Sequence, residues 1–171
     1  MGEPVLTPPL PLTANHNTDE FTSGASELDE WLCRWALVDH RSGNARVFVA
    51  TRGDKVVGYY ALATGGVEKE RVPSELKKGG VPVQVPCLLL ARLAVDQSEQ
   101  GSGIGRGLLV DALRRTLRVS EEIGVRALLI HARDDTARDF YLHHGEFVPA
   151  PTDPLHLFLN LKSARRAIAD S

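Results

Sequence analysis

The sequence predicts an α+β fold, and three stretches carry that expectation. Two segments rich in β-branched and aromatic residues flank a tight turn near the middle of the N-terminal half. An apolar strand then runs through a glycine-rich loop into a long amphipathic helix, and a second apolar strand leads into a short helix and a last strand. At 171 residues the chain is long enough for one core. The expected organisation is a single domain over 1–171, with a Pro-rich segment at 1–13 and a polar tail at 163–171.

The first thirteen residues hold several prolines and one short edge strand. Ser26 is positioned as an N-cap with Asp29 three residues on, and Leu28, Trp31, Leu32, Trp35 and Val38 recur at helical spacing as one core-facing stripe. Arg46–Thr51 and Lys55–Thr64 form a hairpin around Arg52-Gly53-Asp54. Gly65 to Pro86 reads as a long connection with a short helix near Ser74–Lys78, and connections of that length inside compact domains tend to serve function. A strand over Leu88–Val95 precedes the glycine loop, and the following helix runs to Glu122. Ala127–Ala132 is a buried strand, Asp134 or Asp135 caps the helix carrying Tyr141, and Leu155–Leu161 is the last strand.

Composition sets the outer limits. A chain with 43% hydrophobic and 25% charged residues belongs with soluble globular proteins, not with disordered ones. There is no apolar run of membrane-spanning length and no basic-then-apolar leader pattern, so a cytoplasmic location is expected. Cys33 and Cys87 lack metal-type spacing and read as buried fillers. A net charge of −2 excludes a global basic field for nucleic acid, although Lys69, Arg71, Lys77 and Lys78 cluster locally.

The glycine loop, Gln100-Gly101-Ser102-Gly103-Ile104-Gly105-Arg106, is the most specific signal. Glycines at a strand-to-helix junction let main chain approach a ligand closely, and the first-turn N–H groups present a phosphate site. A Walker loop would need Gly-Lys-Ser or Gly-Lys-Thr at its end, which is absent. A dinucleotide fingerprint fails on spacing, because its third glycine falls on Arg106 or Leu108. The spacing that fits is Gln-x-x-Gly-x-Gly on Gln100, Gly103 and Gly105, following Leu93-Ala94-Val95-Asp96. Further on, Ala137-x-x-Phe140-Tyr141 is followed by Gly145-Glu146-Phe147.

These two motifs resemble those of the Gcn5-related N-acetyltransferase (GNAT) superfamily; Glu146 stands where that family usually has glycine directly before phenylalanine. The resemblance covers nearly the whole chain and implies a mixed, mostly antiparallel sheet flanked by helices on both faces. It also implies acetyl-CoA as co-substrate. The pyrophosphate would lie on Gln100, Gly101, Ser102, Gly103, Ile104, Gly105 and Arg106, the pantetheine arm along Leu93, Ala94 and Val95, and Phe140 beside it. Tyr141 would be the general acid, since a phenol near pKa ~10 is neutral at working pH.

Phe21-x-x-Gly24 with Leu28-Asp29-x-Trp31-Leu32, and a Pro-bounded basic loop before Leu90–Asp96, look most like one branch of that superfamily. That branch comprises the toxins of bacterial toxin–antitoxin pairs, which acetylate aminoacyl-tRNA and are neutralised by a ribbon-helix-helix antitoxin. Arg71, Lys77, Lys78, Arg92, Arg133 and Arg138 are then the tRNA-contact candidates, and a homodimer is left open. No carboxylate stands out as a general base, which suits an α-amine titrating near ~8 better than a lysine near ~10.4. His131 is a candidate base if it faces the site; His143 and His144 lack a third ligand at suitable spacing, so no metal is expected. Two alternatives stand beside this reading: an acetyltransferase for a small amine, peptide or protein N-terminus, and a non-catalytic acyl-CoA-binding module.

Overall fold

The computed structural model describes residues 2 and 4–169. Its elements are β1 (Leu10–Pro11), α1 (Ser26–Arg34), α2 (Ala36–Ser42), β2 (Arg46–Arg52), β3 (Lys55–Glu68), β4 (Gln84–Val95), α3 (Ile104–Glu122), β5 (Ala127–His131), α4 (Asp135–His144), β6 (Val148–Pro149), β7 (His156–Asn160) and α5 (Leu161–Ala169). The strands form a seven-stranded mixed sheet in the order β1-β2-β3-β4-β5-β7-β6. Among the described strand pairs, β4–β5 is parallel and the others are antiparallel. The chain divides into two compact units, residues 1–63 with 91–112 and residues 64–90 with 113–171.

In the first unit the β2–β3 hairpin turns at Gly53, whose φ of +62° is a left-handed value that favours glycine. Its inner face and the helices share a core that includes Phe21, Trp31, Leu32, Val47, Val49 and Tyr59. Tyr59 stacks on Trp31 and donates its hydroxyl to the Leu28 carbonyl at 2.7 Å, so the ring is buried without stranding its polar end. Gly58 is required for packing: a Cβ there would stand 3.0 Å from Ile104 Cγ2 and 3.1 Å from Leu108 Cδ1. The missing side chain lets the start of α3 lie against the strand.

Four expectations change in this unit. The helical stripe is two helices, α1 and α2, meeting at Trp35. Trp35 and Val38 are 55% and 59% exposed, so they are not part of the core-facing stripe. Ser26 is the first helical residue; Ala25 is the N-cap and makes no side-chain cap bond. Cys33 is exposed, whereas Cys87 is buried as expected.

In the second unit β4 pairs with β5 from Cys87↔Ala127 to Leu90↔Ile130, and β7 runs antiparallel to both β5 and β6. Val72, Leu76, Val85, Cys87, Leu129 and Phe158 form its core. Arg126 organises the connection above it by donating to the carbonyls of Leu76, Lys78 and Gly80. The short helix expected near Ser74 is a 3-10 turn over Ser74–Lys77. Strand β3 continues to Glu68 rather than ending near Thr64, because Gly66 leaves room for the Gln84 side chain, 3.0 Å from where a Cβ would be. The described part of the tail, residues 163–169, belongs to α5, and Ala164 in it is buried; Leu161, expected to end the last strand, is the first residue of that helix.

Candidate functional site

The glycine loop in the first unit is stapled on both sides by its own side chains. Gln100 donates both amide hydrogens away from the loop, to Val95 O at 2.9 Å and Ser23 O at 2.8 Å. Ser102 Oγ donates to Glu99 O at 2.5 Å, and the Glu99 carboxylate is held by Arg52. Gly101 and Gly103 have φ of +85° and +90°, values that admit glycine with little strain. The first hydrogen bond of α3 runs from Gly107 N to Gly103 O, at 3.0 Å.

Consequently the main-chain N–H groups of Gly101, Ser102, Gly103, Ile104, Gly105 and Arg106 donate to no described residue. Unsatisfied donors at a helix start, with the positive end of the 19-residue α3 behind them, form an anion site. A Cβ built at Gly101 or Gly103 would meet nothing within 4 Å, so the space over the loop is open. Both features fit the acyl-CoA pyrophosphate. Along Ala91–Val95, β4 has no partner from β5, whose pairing stops at Leu90↔Ile130. The main chain expected to carry the pantetheine arm therefore lies beyond that pairing.

Tyr141 belongs to the second unit, on α4. Asp134 Oδ1 caps that helix by accepting from Ala137 N at 2.8 Å. The Tyr141 ring is 7% exposed, between Phe140 and Phe147 at centroid distances of 5.2 and 6.1 Å. Phe140 is half-buried, and Tyr141 is the more enclosed of the two. The Tyr141 hydroxyl has no hydrogen bond from a described residue. Burial pushes the phenol well above its ordinary range and keeps it protonated. The Phe147 ring two residues after Gly145 folds back on it, where a Cβ would stand 2.7 Å from Phe147 Cε2.

The predicted tRNA contacts scatter. Arg92 lies over the Trp31 ring at 4.2 Å in the first unit, a cation–π pair that already accounts for it. Arg133 pairs with Asp134 at 3.3 Å, and Arg138 buries an unpartnered Nε. Lys78 is exposed and Lys77 half-buried. Arg71 joins His131 at a cavity of about 300 Å³ in the second unit, floored by Cys87, Leu89, Leu129 and Phe158. His131 stacks on His156 at 4.0 Å, a partner the sequence did not suggest. Desolvation, His156 and Arg71 hold His131 below the usual histidine pKa, in its neutral form. No group of three or more His, Cys, Asp or Glu residues suited to a metal occurs among the described residues.

The first unit thus carries a glycine loop with undonated N–H groups at a strand-to-helix junction, and the second carries an enclosed tyrosine on a helix. Residues 43–145 match the family model described as acetyltransferase (GNAT) domain, and the chain belongs to this family. A relative from Mycobacterium tuberculosis (strain ATCC 25618 / H37Rv), the "tRNA-acetylating toxin", is 47% identical over 88% of this chain and 89% of its own length. The structure of AtaT complexed with acetyl-methionyl-tRNAfMet matches with a TM-score of 0.88 and 29% identity, over 96% of this chain and 99% of that one. A mutant AtaT toxin bound to the C-terminus of the antitoxin AtaR and acetyl-CoA matches with a TM-score of 0.82 and 26% identity, over 95% and 98%.

Proposed function

We propose that the protein transfers acetyl from acetyl-CoA to the α-amine of an aminoacyl-tRNA, and so blocks translation as the toxin of a toxin–antitoxin pair. The 47% identity to a tRNA-acetylating toxin across most of both chains carries this reading. The six unused N–H groups from Gly101 to Arg106, with the Arg106 side chain, take the pyrophosphate. Main chain of Leu93–Val95 takes the pantetheine arm, with Phe140 beside it. Acetyl-CoA supplies the acetyl group already activated as a thioester.

Transfer forms a bond between the amine nitrogen and the acetyl carbon and breaks the carbon–sulfur bond. Tyr141 gives its proton to the departing sulfur and is reprotonated from solvent, while the amine loses its own proton to water. The enclosed ring keeps the phenol neutral until a developing negative charge beside its oxygen draws the proton. The ester of an aminoacyl-tRNA withdraws electron density and lowers its α-amine below the ~8 of a free α-amine, so a substantial fraction arrives uncharged and no dedicated base is needed. Arg71, Lys77, Lys78, Arg133 and Arg138 contribute phosphate contacts, and Arg92 acts chiefly by packing on Trp31.

The proposal extends to a cytoplasmic protein neutralised by a ribbon-helix-helix antitoxin. None of the described helices is long and apolar enough to cross a membrane. Inducing the wild-type gene should arrest growth, and Tyr141→Phe should relieve the arrest at equal protein level. Unimpeded growth on wild-type induction without an antitoxin contradicts the toxin role and favours a small-amine acetyltransferase.

A further inference from the structure

The segment Thr22–Gly24 is bonded to Asp96, Gln97 and Gln100, the stretch leading into the glycine loop, although more than seventy residues separate them in sequence. The buried Asp96 carboxylate accepts from Thr22 N at 2.9 Å with one oxygen, and from Ser98 N and Oγ at 3.1 and 2.5 Å with the other. Gln97 N donates to Thr22 O at 2.8 Å, and Gln100 Nε2 donates to Ser23 O at 2.8 Å. Gly24 has φ of +99°, and a Cβ there would stand 3.1 Å from Gln97 Nε2. Ser23 is fixed in turn by Asp29 of α1, which accepts from Ser23 N at 3.0 Å and from Ser23 Oγ at 2.6 Å. Asp29 thus fixes the position of the serine whose carbonyl accepts from Gln100, the residue that clamps the end of β4 to the loop.

We infer that Asp29 and Ser23 are positioning residues for acetyl-CoA: they set the loop geometry through Gln100, and Asp96 sets it through Thr22. The inference rests on the loop being the pyrophosphate site. A glutamine with both amide hydrogens committed to carbonyls has no donor left for phosphate. Its contribution is to hold the six N–H groups in register, and that register depends on where Ser23 O sits. Asp29 needs no contact with the ligand to act in this way. This also accounts physically for Phe21-x-x-Gly24 preceding Leu28-Asp29. Phe21 buries the segment's start at 5% exposure, Gly24 makes its turn, and Asp29 ties it down.

The test compares acetyl-CoA with S-acetylpantetheine, which carries the same thioester without the pyrophosphate. Ser23→Ala removes only the Oγ bonds, and Asp29→Asn keeps one acceptor while removing the charge. Each variant should raise KM for acetyl-CoA about tenfold, the scale of one charge-assisted hydrogen bond, and leave kcat and turnover of S-acetylpantetheine unchanged. Asp29→Glu should restore part of the loss. Equal losses with both donors, or unchanged KM for acetyl-CoA, overturn the inference; the first shows a general folding role and the second no role. Gly103→Glu serves as the reference. If it too leaves acetyl-CoA binding intact, the loop assignment itself has failed, a separate result from failure of the positioning role.

Discussion

Replacing Gly103 by glutamate tests the loop most sharply. The residue has φ of +90°, and a Cβ there would meet nothing within 4 Å, so the side chain projects into open space above the loop. Strain from the left-handed backbone costs about 1–2 kcal/mol. The larger effect falls on the ligand, because a carboxylate occupies the space where the pyrophosphate must approach the N–H groups. Charge-assisted hydrogen bonds contribute about 1.5–3 kcal/mol each. Losing one therefore weakens binding by at least about tenfold, and losing two, about 3 kcal/mol or more, by more than about a hundredfold. Gly107→Ala is the matched control: Gly107 N already bonds Gly103 O, and a Cβ there also meets nothing within 4 Å. Alanine at that helical position should stabilise the fold by up to about 1 kcal/mol and leave acetyl-CoA affinity as it was. Titration calorimetry reads both variants, and unchanged affinity in a folded Gly103→Glu protein would refute the assignment.

Other outcomes follow from the same geometry. Tyr141→Phe should retain acetyl-CoA affinity and lose about 10²–10⁴-fold in turnover, and in steady-state kinetics near wild-type turnover would make Tyr141 a packing residue only. Because burial raises the Tyr141 phenol, its protonated form persists above the ordinary tyrosine pKa; the wild-type rate should show no alkaline fall centred at or below about pH 10. Burial alone would raise the Asp96 carboxyl, but bonds from Ser98 and Thr22, with Lys55 nearby, overcome this and hold it below the usual range. Its stabilisation is therefore present above the ordinary carboxylate pKa and lost as pH falls through the depressed value. Asp96→Asn should cost about 2 kcal/mol at pH 7 and less in acid, read by urea melts. Gly58→Val should destabilise by about 1–3 kcal/mol through overpacking against Ile104 and Leu108, read by thermal melts.

Much of the fold is legible because its punctuation is local. Gly53 marks the hairpin, Asp134 caps α4, and the glycine loop marks the start of α3. Periodicity misled where it could not distinguish a buried stripe from an exposed continuation. Trp35 and Val38 keep the helical spacing of Trp31, but the break between α1 and α2 falls at Trp35, and in α2 it is Ala36 and Leu37 that meet the core. Gly65-Gly66 reads as a break, yet β3 runs through it because Gln84 fills the space a Cβ would take. The glycine motif located the anion loop, but the bonds that shape it come from distant residues. Asp29 reads as the capping partner of Ser26, Arg126 carries no signal, and His156 can be matched to His131 only through the register of β5 with β7.

The central claim is that the acceptor is an aminoacylated tRNA. The direct measurement incubates the protein with radiolabelled acetyl-CoA and tRNA in charged and uncharged forms, over a range of salt concentrations. Label should appear on charged tRNA alone and fade steeply with salt, as phosphate contacts require; reversing Lys77 and Lys78 to glutamate should weaken it without affecting acetyl-CoA binding. Absence of label on every charged tRNA, with ready acetylation of a small amine or peptide, would contradict the account.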